Sequence, residues 1–188
     1  MDVDYRGIII RARMQLEAFL RPFYQDLDGA SRFDEVERIA NIARRLYTPA
    51  SPTDARALDL LLLFHRLGPW LQKVGNLSRT LLAVEGVTEE ELHATAASIR
   101  RLEEPVTEAE RAVAAAVLID GAGVRGLTEQ FARAKREGNS LMDVLRAALS
   151  DVRVPEWLSE EAEEWLHRRR EARREICKQI LDELSLDQ

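Results

Sequence analysis

The chain has 188 residues, enough for one full core and too few for two complete domains of ordinary size. Apolar residues make up 46% and charged residues 32%, the balance of a globular protein in water. A net charge of -6 argues against nucleic acid as the partner, since phosphate backbones call for a basic surface, and the single cysteine, Cys177, excludes an internal disulfide and a cysteine zinc cluster.

In chain order the helix signals recur and strand signals are scarce. Residues 5–27 read as an opening helix that Pro22 kinks or ends. Ser31 with Asp34 is a weak start signal for the next helix, whose stripe is Val36, Ile39, Ala40, Ala43 and Leu46. Ser51-Pro52-Thr53-Asp54 supplies a cap, a proline at the first helical position and an acid in the first turn. Asp59 to Phe64 is an apolar run that reads as a buried helix, and Gly68-Pro69 reads as a loop after it. Trp70, Leu71, Val74 and Leu77 form an apolar cluster.

Thr88 with Glu91 and Thr107 with Glu110 are capping boxes. The alanine-rich run from Ala112 to Ile119 follows the second and favours helix. Gly138-Asn139 is a turn. Pro155 and Ser159 open a final helix to about Leu184, with a stripe of Trp165, Ile176, Ile180 and Leu184 and a solvated charged face from Arg168 to Arg174. Cys177 is a small apolar residue on that helix. The expected fold is all-α. It is a single compact domain over 1–188, with an N-terminal helix in 1–30 and a core with a long last helix in 31–184.

Gly121-Ala122-Gly123-Val124-Arg125-Gly126 fits the dinucleotide fingerprint by letter. That fingerprint needs a strand before it and a βαβ unit around it, and the run before it starts at a capping box. Glycines that end a helix and let helices approach closely are the plainer account. No apolar stretch reaches the ~18 residues of a membrane span, and the acidic Met1-Asp2-Val3-Asp4 start lacks a signal-peptide profile, so no membrane and a cytoplasmic location are expected.

The most informative pair is His65-Arg66. A histidine ending a buried helix before a small turn is a common way to hold a metal, and the residue after it should then be a carboxylate. Here it is arginine, a permanent cation with no lone pair to give.

Three segments together resemble the HD superfamily of metal-dependent phosphohydrolases, in its small stand-alone helical form. Ser31-Arg32-Phe33-Asp34-Glu35-Val36-Glu37-Arg38-Ile39 is similar to the family's His-Asp-aromatic-X-His-Val-X-Arg-Val, with both histidines replaced. His65-Arg66-Leu67-Gly68 stands for His-Asp-Ile-Gly, with Pro69 where the family has a phosphate-contacting lysine. From Thr107 to Gly126 the later family helix keeps Thr107, Ala116, Asp120, Gly123 and Gly126, while its two acids fall on Ala115 and Val117. The resemblance spans about Ser31 to Leu184.

The resemblance implies an HD-like helical bundle and a metal-ligand set at Glu35, His65, Arg66 and Val117, of which His65 alone is unchanged. Arg66 and Val117 cannot ligate, so the expectation is a degenerate HD-domain protein without cofactor or catalytic residue, serving as a binding or oligomerisation module. Arg66 is then expected to pair with Glu35 or Asp120 in the old metal volume. Its partners would be a second copy, another protein or a small anionic ligand. The alternative is a phosphohydrolase acting on a nucleotide or another phosphate ester with one divalent metal on His65, Glu35 and Asp120, and Asp59 as a further candidate. Exposed apolar surface at Trp70, Trp157 and Trp165 would serve association. His93 and His167 read as surface histidines.

Overall fold

The computed structural model describes residues 15–24, 33–73, 76–150 and 153–186. Every regular element among them is helical, so the chain is all-α. Contacts divide it into two compact units, Met1–Ala114 and Ala115–Gln188.

In the first unit a helical segment at 15–24 (α1) runs past Pro22, which does not end it. A helix tolerates such a proline by giving up one hydrogen bond, here the one to the carbonyl of Ala18. The rest of the expected opening helix and the Ser31 cap lie outside the described residues. Helix α2 (Phe33–Leu46) buries Phe33, Val36, Ile39, Ala40, Ile42 and Ala43, the expected stripe with its flanks. Helix α3 (Pro52–Phe64) starts as its sequence demands: Ser51 accepts a hydrogen bond from the Asp54 N–H at 3.1 Å, and Pro52 fills the first turn. Leu58 and Leu60 through Phe64 are all buried, so this helix is apolar around nearly its whole girth.

Gly68-Pro69 is not the loop expected there. It opens a short helix, α4 (Gly68–Lys73), because proline belongs naturally in a first turn. Helix α5 (Asn76–Val84) and α6 (Glu89–Arg100) follow. Thr88 and Glu91 close their capping box in both directions. Leu16, Leu20, Tyr24, Phe33, Val36, Leu60, Leu63, Phe64, Leu82 and Leu92 share one buried cluster, against which Trp70 packs beside Phe23 at 4.8 Å between ring centroids. Trp70 is thus core-facing, as Leu71 is; nothing is described of the side chains of Val74 and Leu77.

Helix α7 (Glu108–Ala122) contains the boundary between the units. It is the alanine-rich run, and it removes the strand that a dinucleotide turn would need. Gly123 instead caps α8 (Val124–Glu137), which ends at Gly138 in the left-handed conformation, φ 73°. Ser140 caps α9 (Leu141–Leu149), accepting from the Met142 N–H at 3.2 Å.

Ser159 precedes α10 (Glu160–Leu186) and accepts from the Ala162 N–H. Leu127, Leu145, Ala148 and Cys177 form the core of this unit, where α8, α9 and α10 pack together. Two expectations on α10 change. Ile176 and Ile180 of the expected stripe pack half-buried against this core, but the most buried line runs through Ala162, Leu166, Arg173 and Cys177, and Leu184 is exposed. Arg173, expected in solvent, is only 7% exposed. Cys177 is a fully buried free thiol, as its bland reading required. No described helix is long and apolar enough to cross a membrane.

Candidate functional site

Three elements of the first unit meet at the C-terminal end of α3. Glu35 comes from the first turn of α2 and is 5% exposed, an unusual depth for a carboxylate. Arg66 follows the helix end at His65 and reaches back to it. Both its Nε, at 3.0 Å, and its Nη2 donate to the same oxygen, Oε1 of Glu35. This is the ion pair that the substitution of arginine into a metal-like context implied. Two charge-assisted hydrogen bonds compensate the burial of Glu35, which alone would be costly.

Tyr24 of α1 is the third member, and sequence reasoning missed it. Its hydroxyl donates to the carbonyl of Leu63 in the last turn of α3. Burial and the negative charge of Glu35 push its ionisation well above the ordinary tyrosine range, against opposing effects from Arg66. Its ring meets Phe33 edge-on at 5.6 Å, and Phe33 carries the Arg21 guanidinium 4.3 Å from its centroid. The spacing Leu16, Leu20, Tyr24 was the available signal: one helical face, with a tyrosine in line with two leucines.

His65 caps α3 and is buried. Its Nδ1–H donates to the Leu62 carbonyl at 2.7 Å, so in the neutral ring Nε2 carries the lone pair. Val117 and Asp120 are half-buried on the part of α7 that belongs to the second unit. Asp59 is engaged by Arg44 at 2.8 Å. His93 and His167 lie on the surface, each beside a glutamate one turn away.

A divalent cation does not fit beside Glu35 in this arrangement. One of the two carboxylate oxygens, Oε1, already holds a guanidinium. Like charge at ~4 Å in an effective dielectric of ~20 opposes a divalent ion by roughly 8 kcal/mol, less the screening that the partial exposure of Arg66 allows. Among the described residues no three His, Cys, Asp or Glu side chains gather as a metal centre would need.

The first unit also has a cavity of about 570 Å³ between α3 and α6, lined by Arg56, Leu60, Leu61, Glu91, Thr95 and Ser98 among others. Arg56 spans it, donating to Glu91 at 3.0 Å and to the Gly86 carbonyl at 2.8 Å. Burial opposes the charge of Glu91, but the Thr88 N–H and Arg56 hold its carboxyl below the usual range.

No family model and no curated protein matches this sequence. Solved structures do match its fold. The Bacillus subtilis protein YpgQ superposes with a TM-score of 0.62 at 15% identity, covering 92% of this chain and 97% of that one. A second structure, of YpgQ in complex with ADP, gives 0.63 at 15% identity, over 93% and 95%. At such identity the likeness is one of fold.

Proposed function

We propose that this chain is a degenerate relative of the HD phosphohydrolases that works as a binding or oligomerisation module and does not hydrolyse phosphate esters. The observation that carries the reading is the Arg66 guanidinium on the Glu35 carboxylate, at the place where the family resemblance puts a metal. An arginine there supplies the positive charge that held the helices together and none of the Lewis acidity that hydrolysis uses. The fold likeness to YpgQ supports the all-α architecture alone. The ligand class it favours is a small phosphate-bearing anion, since YpgQ has been crystallised with ADP. The partner alternative is a second copy. Its single, buried thiol suits the cytoplasm.

The test is metal content together with turnover. Protein purified without chelator and without added metal should carry no stoichiometric divalent ion. It should release no phosphate from nucleotides or phenyl phosphate with manganese or magnesium present. Sedimentation at two concentrations, with and without ADP, then separates self-association from ligand binding.

One observation favours a second reading, a surviving metal-dependent phosphohydrolase with His65 as a ligand. The hydrogen bond from His65 Nδ1 to Leu62 fixes the tautomer that a metal ligand needs. Turnover that disappears in His65→Ala would establish it and remove the non-catalytic reading.

A further inference from the structure

The cavity between α3 and α6 shares no wall residue with the Glu35–Arg66 pair. Its volume, about 570 Å³, is that of a small-molecule site. Helix α3 contributes Ala57, Leu60 and Leu61, and α6 contributes Ala94 and Thr95. Leu60, Leu61 and Thr95 are buried and form the floor, while Ala57 and Ala94 are exposed at the sides. A methyl group at each of those two positions is too short to cover the floor. Displacing water from two leucines favours an apolar occupant.

The charged groups in the walls decide what else that occupant carries. Arg56 donates through Nε to Glu91 at 3.0 Å and through Nη2 to the Gly86 carbonyl at 2.8 Å. Glu91 also accepts from the Thr88 N–H at 2.8 Å, so the pair is held in place before any ligand arrives. Both members are 29% exposed, and their charges cancel. The guanidinium fork carries more N–H groups than these two bonds use. The wall thus offers a donor whose charge is already met, which suits a neutral acceptor such as a carbonyl oxygen. An anion would compete with Glu91 for Arg56, in walls that hold two glutamates, Glu90 and Glu91, against one arginine. An ammonium group would sit on Glu90, which is exposed in the first turn of α6, and would leave the floor uncovered.

We propose that this cavity binds a small uncharged molecule with an apolar body and a carbonyl group, the body on Leu60 and Leu61 and the carbonyl oxygen accepting from Arg56. The cavity lies within the first unit, and its role stands whichever way the Glu35–Arg66 pair is read.

The test is an amide NMR titration of the full chain at constant ionic strength with three fragments of similar size: acetophenone, benzoate and benzylamine. Acetophenone should shift the amide signals of Leu61, Ala94 and Thr95 saturably and bind about tenfold tighter than either charged fragment. Arg56→Met removes the donor and should weaken acetophenone about tenfold, the loss of a hydrogen bond to a charged group. Ala94→Leu changes an exposed helix position to another good helix former, puts a side chain over the floor and should abolish binding. If that variant does not fold, Ala57→Leu closes the cavity from α3. No saturable shift at these amides would overturn the proposal, as would benzoate or benzylamine binding as tightly as acetophenone, or acetophenone binding undiminished in Arg56→Met. Self-association of the wild type that Ala94→Leu disrupts would assign the cavity to a second copy and overturn it too.

Discussion

Arg66 places two guanidinium nitrogens on one oxygen of Glu35, a carboxylate that is 5% exposed. The pair links the start of α2 to the end of α3, and its two members are unequally buried: the Arg66 side chain is 37% exposed. Removing either partner therefore has different consequences. Arg66→Ala leaves a carboxylate stranded in the interior and should destabilise the chain by about 2–3 kcal/mol, at the lower edge of the range for broken buried pairs because Arg66 is partly solvated. Glu35→Gln leaves a cation that can turn to water and should cost less. The double variant Arg66→Ala with Glu35→Gln should recover stability relative to Arg66→Ala. Urea unfolding of the four proteins as a double-mutant cycle measures the coupling, and a cycle that closes with no coupling removes the cross-link role.

Tyr24 gives an independent readout of the same corner. Its hydroxyl is buried, donates to Leu63 and is held neutral first by burial and then by the charge of Glu35. In an ultraviolet titration Tyr24 should stay un-ionised through the range where ordinary tyrosines titrate, and ionise only as the chain unfolds in alkali. Comparison with Tyr24→Phe assigns the missing absorbance. The same variant leaves the Leu63 carbonyl without its donor and should lower stability by about 1 kcal/mol.

Local signals were legible where they were chemical and short in range. Ser51 before Pro52, Thr88 with Glu91 and Thr107 with Glu110 announced helix starts, because an N-cap is decided within four residues. The Arg66–Glu35 pair was readable because a cation stood where a metal ligand was expected. Tyr24 was not, since its partner lies 39 residues away and an aromatic on a leucine face looks like plain core. The burial of Arg173 is hidden in the sequence for a related reason. In a run of arginines, one position of helical rotation decides between water and core, and periodicity fixes that phase only loosely when the apolar residues are sparse. Gly68-Pro69 reads as a break by its letters alone, yet the proline begins a helix.

Glu110 carries the clearest pH dependence. Its side chain is fully buried, which opposes its charge. The Arg101 guanidinium, the Val106 N–H, the Ser98 hydroxyl and the Thr107 N–H outweigh that and hold the carboxyl down to about 2. The folded state thus binds its proton more weakly than the unfolded chain, whose ordinary value is 4.5. The stabilisation is complete above that value and is lost as pH falls from there toward 2. A shift of this size corresponds to about 3 kcal/mol. Unfolding free energy followed from pH 6 to pH 2.5 should fall steeply in wild type. In Glu110→Gln it should start lower and show a shallower slope, and equal slopes in the two proteins would rule Glu110 out as the source.

The glycines of the fingerprint-like segment separate packing from ligand binding. A Cβ on Gly121 would meet nothing within 4 Å, whereas a Cβ on Gly126 would fall 1.9 Å from the Gly121 carbonyl oxygen. That oxygen belongs to the backbone, so no rotamer change relieves the contact, and the end of α7 and the start of α8 would have to part. Gly126→Ala should therefore destabilise by about 3 kcal/mol or more. Gly121→Ala, inside α7, should be neutral or stabilise slightly, because alanine is the better helix former. A dinucleotide turn predicts another pattern, in which both substitutions weaken nucleotide binding and neither is singled out by stability. Melting temperatures of the two variants, taken with their affinities for NAD and ADP, distinguish the accounts. Gly126→Ala folding with wild-type stability is the result that the packing role could not survive.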